Sequence, residues 1–247
     1  NNNICKNCNR KVEQKFCSNC GQSTDTHPIN FHYLAYDIQQ TLLPVDRGFF
    51  YTVKELFTRP GHTIREFIEG KRINHFKPFA LVLLLAGIYG FLYHYFNIND
   101  VPRMGGQPDI EQTMAKTNEW LANNYSLAMV MLIPFFAFGS YIVFRKSGYN
   151  YVQNVVINLF LTAQLLIVSI VLFPITYFCT GEYRGTGTMV AMIVGIALYM
   201  WSFTQLFPHK PKLKTGLKAL WAYIFSYVII FILATIGGVI GQLVFMK

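Results

Sequence analysis

The chain has 247 residues, of which 53% are apolar and only 13% are charged. That charged share is roughly half of the ~25% typical of soluble domains, so the composition excludes an ordinary soluble globular protein. A formal net charge of +9 would suggest nucleic acid as the partner of a soluble domain. Here the cations cluster beside apolar runs long enough to cross about 30 Å of hydrocarbon, so we expect the bilayer and its anionic headgroups as partners and no nucleic acid.

Four cysteines near the N-terminus have the spacing C-x2-C-x8-C-x2-C: Cys5, Cys8, Cys17 and Cys20. Two thiolates separated by two residues can turn onto one ion, and two such knuckles complete a tetrahedral shell. Residues that tolerate tight turns lie at the corners, namely Asn7, Asn9, Asn19 and Gly21. The sequence therefore predicts a zinc ribbon over residues 1–24 that holds one structural Zn²⁺.

Two alternatives to zinc apply to these cysteines. Two disulfides are disfavoured because the charge pattern described below places this end in the reducing cytoplasm. A redox-active C-x-x-C pair would require a βαβ context that some twenty residues cannot supply. The fifth cysteine, Cys179, lies near the outer end of a predicted span, where we interpret it as a small apolar residue.

Residues 25–77 are too polar to span a membrane, and their periodicity predicts amphipathic helices. One apolar stripe precedes a break at residues 44–48 and another follows it: Phe31, Leu34, Ile38 and Leu42, then Phe49, Phe50, Val53, Leu56 and Phe57. Such helices lie in the membrane interface or pack beneath the bundle.

The segment from Thr58 to Arg72 predicts a further helix, with Pro60 near its first position and Gly70 as a left-handed C-cap. Cations surround it and precede the first span: Arg59, Arg65, Lys71, Arg72 and Lys77. We favour a topological anchor, because basic residues are expected on the cytoplasmic side of spans. The alternative is a cationic site that binds a lipid phosphate or an acidic partner through bidentate arginines.

These motifs together carry a family resemblance. The chain combines C-x2-C…C-x2-C-G-Q, ending at Gln22, with R-P-G-x2-I-R-E-F-I-x-G-K-R over residues 59–72 and with Pro78-Phe79 opening the apolar region. In this combination it resembles an uncharacterised bacterial membrane-protein family of unknown function. The resemblance covers residues 5–79 and implies a cytoplasmic zinc ribbon on an integral membrane domain, without implying an activity.

Residues 78–247 predict a transmembrane domain of about five helices. The predicted spans are 78–96, 127–144, 155–178, 188–207 and 220–245. The N-terminal 77 residues and the segments 145–146 and 210–218 are rich in Lys and Arg, whereas 97–126 and 179–187 are not. This positive-inside pattern predicts a cytoplasmic N-terminus in a multi-pass protein of the bacterial inner membrane. No cleavable signal peptide is visible, so we expect the first span to act as its own signal; a start at Asn1 is compatible with trimming.

The predicted spans contain polar side chains but no Asp, Glu, Lys or Arg away from their ends. Asn154, Asn158 and Thr162 follow at intervals of four and form one polar helix face. We favour interhelical hydrogen bonding for this face, and the alternative is a polar lining for a solute or lipid headgroup. Small-residue seams such as Gly237-x3-Gly241 are compatible with tight packing or a homo-oligomer.

The sequence therefore predicts an all-α polytopic membrane protein with a small N-terminal zinc ribbon and interfacial amphipathic helices. No nucleophile elbow, metalloprotease motif or phosphate-binding loop is visible, so we expect no enzyme. The leading functional hypothesis is a non-enzymatic scaffold or adaptor whose ribbon and amphipathic helices bind a membrane or cytoplasmic protein. The alternative is a carrier or channel for a lipid or small polar solute.

Overall fold

The structure is a computed structural model that describes residues 4–24, 26, 28–39, 48–96, 124–179 and 186–245. Nine α-helices lie in these ranges: α1 Phe31–Gln39, α2 Gly48–Thr58, α3 Pro60–Glu69, α4 Pro78–Tyr95, α5 Tyr125–Val143, α6 Tyr151–Val171, α7 Phe173–Phe178, α8 Thr186–Leu206 and α9 Lys212–Phe245. Strand-like pairing in the same ranges is limited to two isolated bridges, Ile4 with Lys11 and Phe16 with Ser23. The predicted all-α class is confirmed.

Four helices are long and apolar enough to cross a membrane: α4, α6, α8 and α9, the last over Lys212–Ile236. This supports a membrane protein. The predicted span at 127–144 corresponds to α5, whose described apolar part, Leu127–Val143, is shorter than the other four. Four candidate spans are therefore present among the described residues, and the predicted fifth is not confirmed.

Helix α6 lies at the centre of the bundle. Of the 18 consecutive residues that are most apolar in α6, 67% are buried inside the protein. The corresponding share is 33% or less in α4, α8 and α9. Helices α4, α5 and α8 pack around α6, and α9 packs against α5 and α8. The side chains of Leu159, Phe160 and Leu166 are each at most 1% exposed and form the centre of the core.

Local capping sets the limits of α6, which differ from those of the predicted span at 155–178. Asn150 and Gln153 form a reciprocal capping box, with each side chain accepting the other's backbone N–H at 2.8 and 2.9 Å, so the helix begins at Tyr151. The helix ends at Val171, with Leu172 as its C-cap two residues before Pro174, and the short helix α7 follows. The break near Pro174 agrees with the restriction that proline places on the preceding backbone.

Helices α2 and α3 pack against the bundle, chiefly on α6 and α8. Leu56 and Ile64 are fully buried, and the edge of the Phe67 ring meets Phe160 of α6 with ring centroids 5.2 Å apart. Pro60 begins α3 and Gly70 caps it in the left-handed conformation (φ 107°), as predicted from the sequence. The amphipathic segment is thus joined to the bundle along its apolar side.

Candidate metal centre and its docking surface

The four N-terminal cysteines converge on one point. Their sulfur atoms all lie within 4.8 Å of one another, and two of the Sγ–Sγ separations, Cys5 to Cys20 and Cys8 to Cys17, are 3.6 and 3.5 Å. Four thiolates bound tetrahedrally at about 2.3 Å from a metal would lie about 3.8 Å apart. All four are free cysteines, and a disulfide would need about 2.05 Å. The residues fit a tetrahedral thiolate metal site.

The two knuckles share one backbone geometry, displaced by twelve residues. In the first, the Cys5 amide donates to the Arg10 carbonyl at 2.8 Å and the Asn9 amide donates to the Cys5 carbonyl at 2.9 Å. In the second, Cys17 pairs with Gln22 at 2.9 Å and Gly21 with Cys17 at 2.8 Å. The equivalent turn residues, Asn9 (φ 59°) and Gly21 (φ 75°), both have left-handed backbone conformations, which asparagine and glycine tolerate.

Backbone amides favour the thiolate form of the second cysteine in each knuckle, Cys8 and Cys20. The N–H of Arg10 is the main cause that lowers the pKa of Cys8 to about 6, and the N–H of Gln22 lowers the pKa of Cys20. Burial raises the pKa of Cys5 to about 11, against smaller contributions from nearby amides. A divalent cation would supply the positive charge that stabilises the buried thiolates, because a coordinating thiol is deprotonated.

Gln22 attaches the cysteine module, residues 4–24, to the segment before the first candidate span. Its side-chain oxygen accepts two backbone hydrogen bonds, from Arg72 at 3.0 Å and Ile73 at 2.9 Å, and the residue is only 4% exposed. Beside this contact, the Cδ1 of Ile73 lies 3.9 Å from where a Cβ on Gly21 would be. The end of the ribbon motif C-G-Q is therefore a docking element as well as a knuckle.

A second set of contacts seats the module against the end of α3. A Cβ at Gly70 would lie 2.9 Å from Cδ of Lys6 and 3.3 Å from Oγ1 of Thr26. The flexible Lys6 side chain can move aside, so it is the positive φ of 107° that favours glycine there. Lys6 Nζ donates to the Thr26 carbonyl at 3.4 Å. Further along, Asn150 donates to the carbonyl of Ile29, a residue 1% exposed within the bundle core. Thr26 and Ile29 thus lie between the module and the bundle and contact both.

Ion pairs organise the first part of the predicted cationic motif. Arg59 pairs with Glu55 one turn earlier and lies 3.6 Å from Glu66. Lys71 lies 3.5 Å from the same Glu66. Burial opposes the charge of Arg59, but its hydrogen bond to Glu55 and the charges of Glu55 and Glu66 raise its pKa overall. These cations therefore face carboxylates of their own helices.

The remaining cations of the motif contact backbone and rings. An Arg65 guanidinium nitrogen donates at 2.8 Å to the Gln205 carbonyl, at the C-terminal end of α8, where a positive charge is favourable. Arg72 donates from Nε to the Phe67 carbonyl at 3.1 Å, and its guanidinium carbon lies 4.4 Å from the centroid of the Tyr33 ring. Lys77 is half-buried immediately before α4. A cationic binding role for this motif stays a prediction.

The polar face of α6 makes hydrogen bonds between helices. Ser140 of α5 donates to Asn154 at 3.1 Å and accepts from Asn158 at 2.9 Å, and both asparagines are 2% exposed. Thr162 is half-buried on the same helix. The contacts support the packing interpretation of the two asparagines over a polar lining.

The sequence shows Gln164 and Gln205 as polar residues within predicted spans, but it does not identify their partners. Gln164, 1% exposed, donates to the Leu56 carbonyl of α2 at 2.7 Å, and Gln205 accepts the Gly61 amide at 3.2 Å. Gln22 stood in the quoted motif without a role. Glutamine in an apolar helix is a signal for such a link, but its partner is far away in sequence and cannot be identified from spacing.

Residues 46–90 match the model of a family described as "Protein of unknown function (DUF3667)". The matched range contains the R-P-G motif, α2, α3 and most of α4, and it begins after the cysteine module. It supports the resemblance to an uncharacterised family over those residues. No curated protein and no solved structure matches the chain.

Proposed function

We propose that the protein is a non-enzymatic scaffold of the bacterial inner membrane, in which a zinc-bound cysteine module and the helices beneath it form a cytoplasmic docking platform. The observation that carries the proposal is the docking of the module: Gln22 holds it to Arg72 and Ile73, next to the first candidate span. A module fixed in this way presents its outer surface at a constant position relative to the membrane.

Zinc is the metal that this platform binds in our proposal. Four thiolates in a closed tetrahedral shell suit Zn²⁺ and leave no coordination position for a reacting molecule. The ion stabilises the fold of a segment that has only a very small core. The buried apolar residues of that core are Cys5, Val12 and Cys17. The basic segments support a cytoplasmic location for this end, and in the proposed topology α5 crosses the bilayer as the fifth span.

A scaffold accounts for the packing of the bundle better than a carrier does. Asn154, Asn158 and Gln164 are buried, and each hydrogen-bonds to another part of the protein. A transport pathway would keep polar groups available to a solute or line a wet cavity with them. The carrier or channel therefore remains the second candidate, without an observation that favours it.

The module carries two exposed apolar side chains, with cations close to them in the sequence, that a partner would cover. Ile4 and Phe16, equivalent positions in the two knuckles, are 57% and 62% exposed. Cations near them are Arg10, Lys11 and Lys15. An amphipathic protein segment with carboxylates would cover this surface favourably.

The experiment is affinity purification in mild detergent with identification of co-purifying membrane and cytoplasmic proteins. The double variant Ile4→Ser with Phe16→Ser is expected to lose the specific partner while it still binds one zinc per chain. Phe178→Ser is the control, because this residue is equally an exposed aromatic (77%) but lies at the end of α7, distant in sequence from the module. The proposal is wrong if the double variant and the wild type recover the same proteins, or if the wild type recovers none.

The predicted arginine site is tested in the same assay. Replacement of Arg59, Arg65 or Arg72 by Lys keeps the charge but removes the planar fork that binds phosphate or carboxylate bidentately. Reduced recovery of bound lipid or partner in a variant that inserts normally would support a binding site. Unchanged recovery in all three variants would assign the motif to topology and packing.

A further inference from the structure

We infer that the cysteine module senses a thiophilic divalent cation and transmits its occupancy, through the side chain of Gln22, to the connection that precedes the first candidate span. The inference rests on the proposed function, because it assigns a regulation to the metal site of the platform. It requires that the position of Gln22 depends on the metal, and that the segment it contacts, residues 71–77 before α4, responds to that position. We call residues 71–77 the receiving segment.

The position of Gln22 depends on the second knuckle. Its carbonyl accepts the amide of Cys17 at 2.9 Å, and it follows Cys20 by two residues. Two of the four candidate ligands, Cys17 and Cys20, therefore fix the backbone that carries this side chain. The isolated bridge between Phe16 and Ser23 closes the same loop.

The receiving segment lies between two fixed helix ends. Gly70 caps α3, α4 begins at Pro78, and the amides of Arg72 and Ile73 between them share the Gln22 oxygen at 3.0 and 2.9 Å. Helix α3 packs against α6 and α8, and α4 packs against α6, so the segment joins two parts of the bundle. A change in its order would therefore reach helices on both sides.

Removal of the cation would disrupt the second knuckle, which positions Gln22 against Arg72 and Ile73. A module with so small a core folds only with its metal, because the free energy of metal–thiolate binding supplies most of its free energy of folding. Opening of the second knuckle would withdraw Gln22, and the amides of Arg72 and Ile73 would lose their acceptor. The cation-bound state thus holds the amides of Arg72 and Ile73, and the cation-free state releases them, while the Phe76 amide keeps its hydrogen bond to the Thr52 hydroxyl.

The test is hydrogen exchange of the full-length protein in detergent, with Zn²⁺ bound and after chelation. We expect exchange at the amides of Arg72 and Ile73 to accelerate about tenfold or more on chelation, since each of these amides loses its hydrogen-bond acceptor. The amides within α8 are the internal control and should not change.

Two variants separate Gln22 from the metal itself. Gln22→Met has a similar shape but no acceptor, so with zinc bound it should show the fast exchange of the chelated wild type. Gln22→Glu keeps an acceptor oxygen and should retain protection when zinc is bound. Exchange at Arg72 and Ile73 that is unaffected by chelation, or that stays slow in zinc-bound Gln22→Met, would overturn the inference.

These outcomes are distinct from a failure of the scaffold. Coupling between zinc and the segment can be present or absent whether or not a partner protein co-purifies. A chain that binds no zinc would overturn this inference and the zinc part of the proposed function, but it would leave the test of the Ile4 and Phe16 surface independent.

Discussion

Gly61 allows α3 to approach the end of α8 at backbone distance. A Cβ at this position would lie 2.5 Å from the carbonyl carbon of Gln205 and closer still to the amide nitrogen of Leu206. The Gly61 amide also donates to the Gln205 side chain at 3.2 Å. The R-P-G motif therefore has a packing role: proline starts the helix, and glycine brings its first turn against the bundle.

We predict that Gly61→Ala destabilises the protein by about 1–3 kcal/mol, because backbone atoms of α8 must shift to accept the methyl group. Thermal unfolding in detergent measures the effect. The matched control is Gly216→Ala in α9, where the new Cβ would meet the flexible Met200 side chain at an ordinary 3.5 Å. Equal melting temperatures for the two variants would contradict the prediction.

His75 lies in a partly apolar site between Tyr51 and Phe67, whose ring centroids are 5.3 and 6.0 Å from its own. Its Nδ1 is buried and has no hydrogen-bond partner among the described residues. Burial lowers the pKa of His75 below its ordinary 6.5, against the carboxylates of Glu55 and Glu66, which favour the charged form. At a pH between the folded and unfolded pKa values, His75 is therefore mostly neutral in the folded protein and mostly protonated in the unfolded chain.

The pH dependence follows from that difference in proton binding. Above about pH 6.5 the full stability is present, and it falls as the pH drops toward the lower folded pKa, because unfolding then takes up a proton. Melting temperatures between about pH 7.5 and pH 5.5 should fall less steeply for His75→Phe than for the wild type. His209→Gln, at an exposed histidine, is the control and should keep the wild-type slope.

At the scale of elements, polar side chains in the bundle determine which helices are joined. Gln164 connects α6 to α2 through the Leu56 carbonyl, Ser140 connects α5 to α6, and Arg65 connects α3 to α8. A hydrogen bond in an apolar environment has few competing partners, so it fixes the rotation of a helix as well as its proximity. The hairpin of α2 and α3 is held by two of these links.

We predict that Gln164→Met destabilises the protein by about 1–3 kcal/mol, because the buried Leu56 carbonyl loses its donor while the side-chain volume is kept. Hydrogen exchange within α2 should accelerate in the same variant. Thr235→Val is the control: this hydroxyl is exposed on α9 and bonds only to Ile232 of its own helix among the described residues. An α2 that exchanges as in the wild type would show that Gln164 does not anchor the hairpin.

At the scale of the whole molecule, charge distinguishes the two ends of the bundle. Exposed cations lie at the ends of α5 and α8 and at the start of α9: Arg145, Lys146, Lys210, Lys212, Lys214 and Lys218. Aromatic rings gather at the opposite ends of α4 and α7, where Phe96 contacts Phe173 and Tyr177 with centroids 5.5 and 4.8 Å apart. Aromatic rings also gather at the cationic end, where Phe144 stacks on Phe203 and Phe207, so only the cations bear on the orientation, and they agree with the one proposed above.

Accessibility to a membrane-impermeant thiol reagent tests that orientation. In a Cys179→Ala background, Lys146→Cys and Lys214→Cys should resist labelling in intact spheroplasts, whereas Asn118→Cys should react. Asn118 lies outside the described residues and is chosen from the charge pattern alone.

The wild-type cysteines give an internal comparison for the same experiment. Cys179 should label from outside, and the four cysteines of the module should label only after permeabilisation and metal removal. Reaction at Lys146→Cys together with protection of Cys179 in the wild type would reverse the orientation. It would also remove the reducing-compartment argument against disulfides.

The sequence by itself determined the features that depend on local order. Apolar runs predicted the helices of the bundle, cysteine spacing predicted the convergent thiolates, and Pro60 and Gly70 predicted the ends of α3. Each of these signals lies within one helix or one pair of turns, where periodicity, capping and spacing act directly. The boundaries of α6 and α9 were less accurate, because capping at Asn150 and a basic first turn extend them beyond their apolar cores.

Tertiary structure alone decided what these elements contact. Gln22 reaches residues fifty positions away, Gln164 reaches α2, and Gly61 meets the end of α8; no periodicity within one segment encodes such pairs. The partners of the cations in the R-P-G motif are likewise not predictable from the sequence. The motif alone suggests an exposed basic surface, but in the structure Arg59 pairs with Glu55 and Arg65 binds the C-terminal end of α8. A side chain's partner is set by which helices pack together, and that packing is a property of the whole chain.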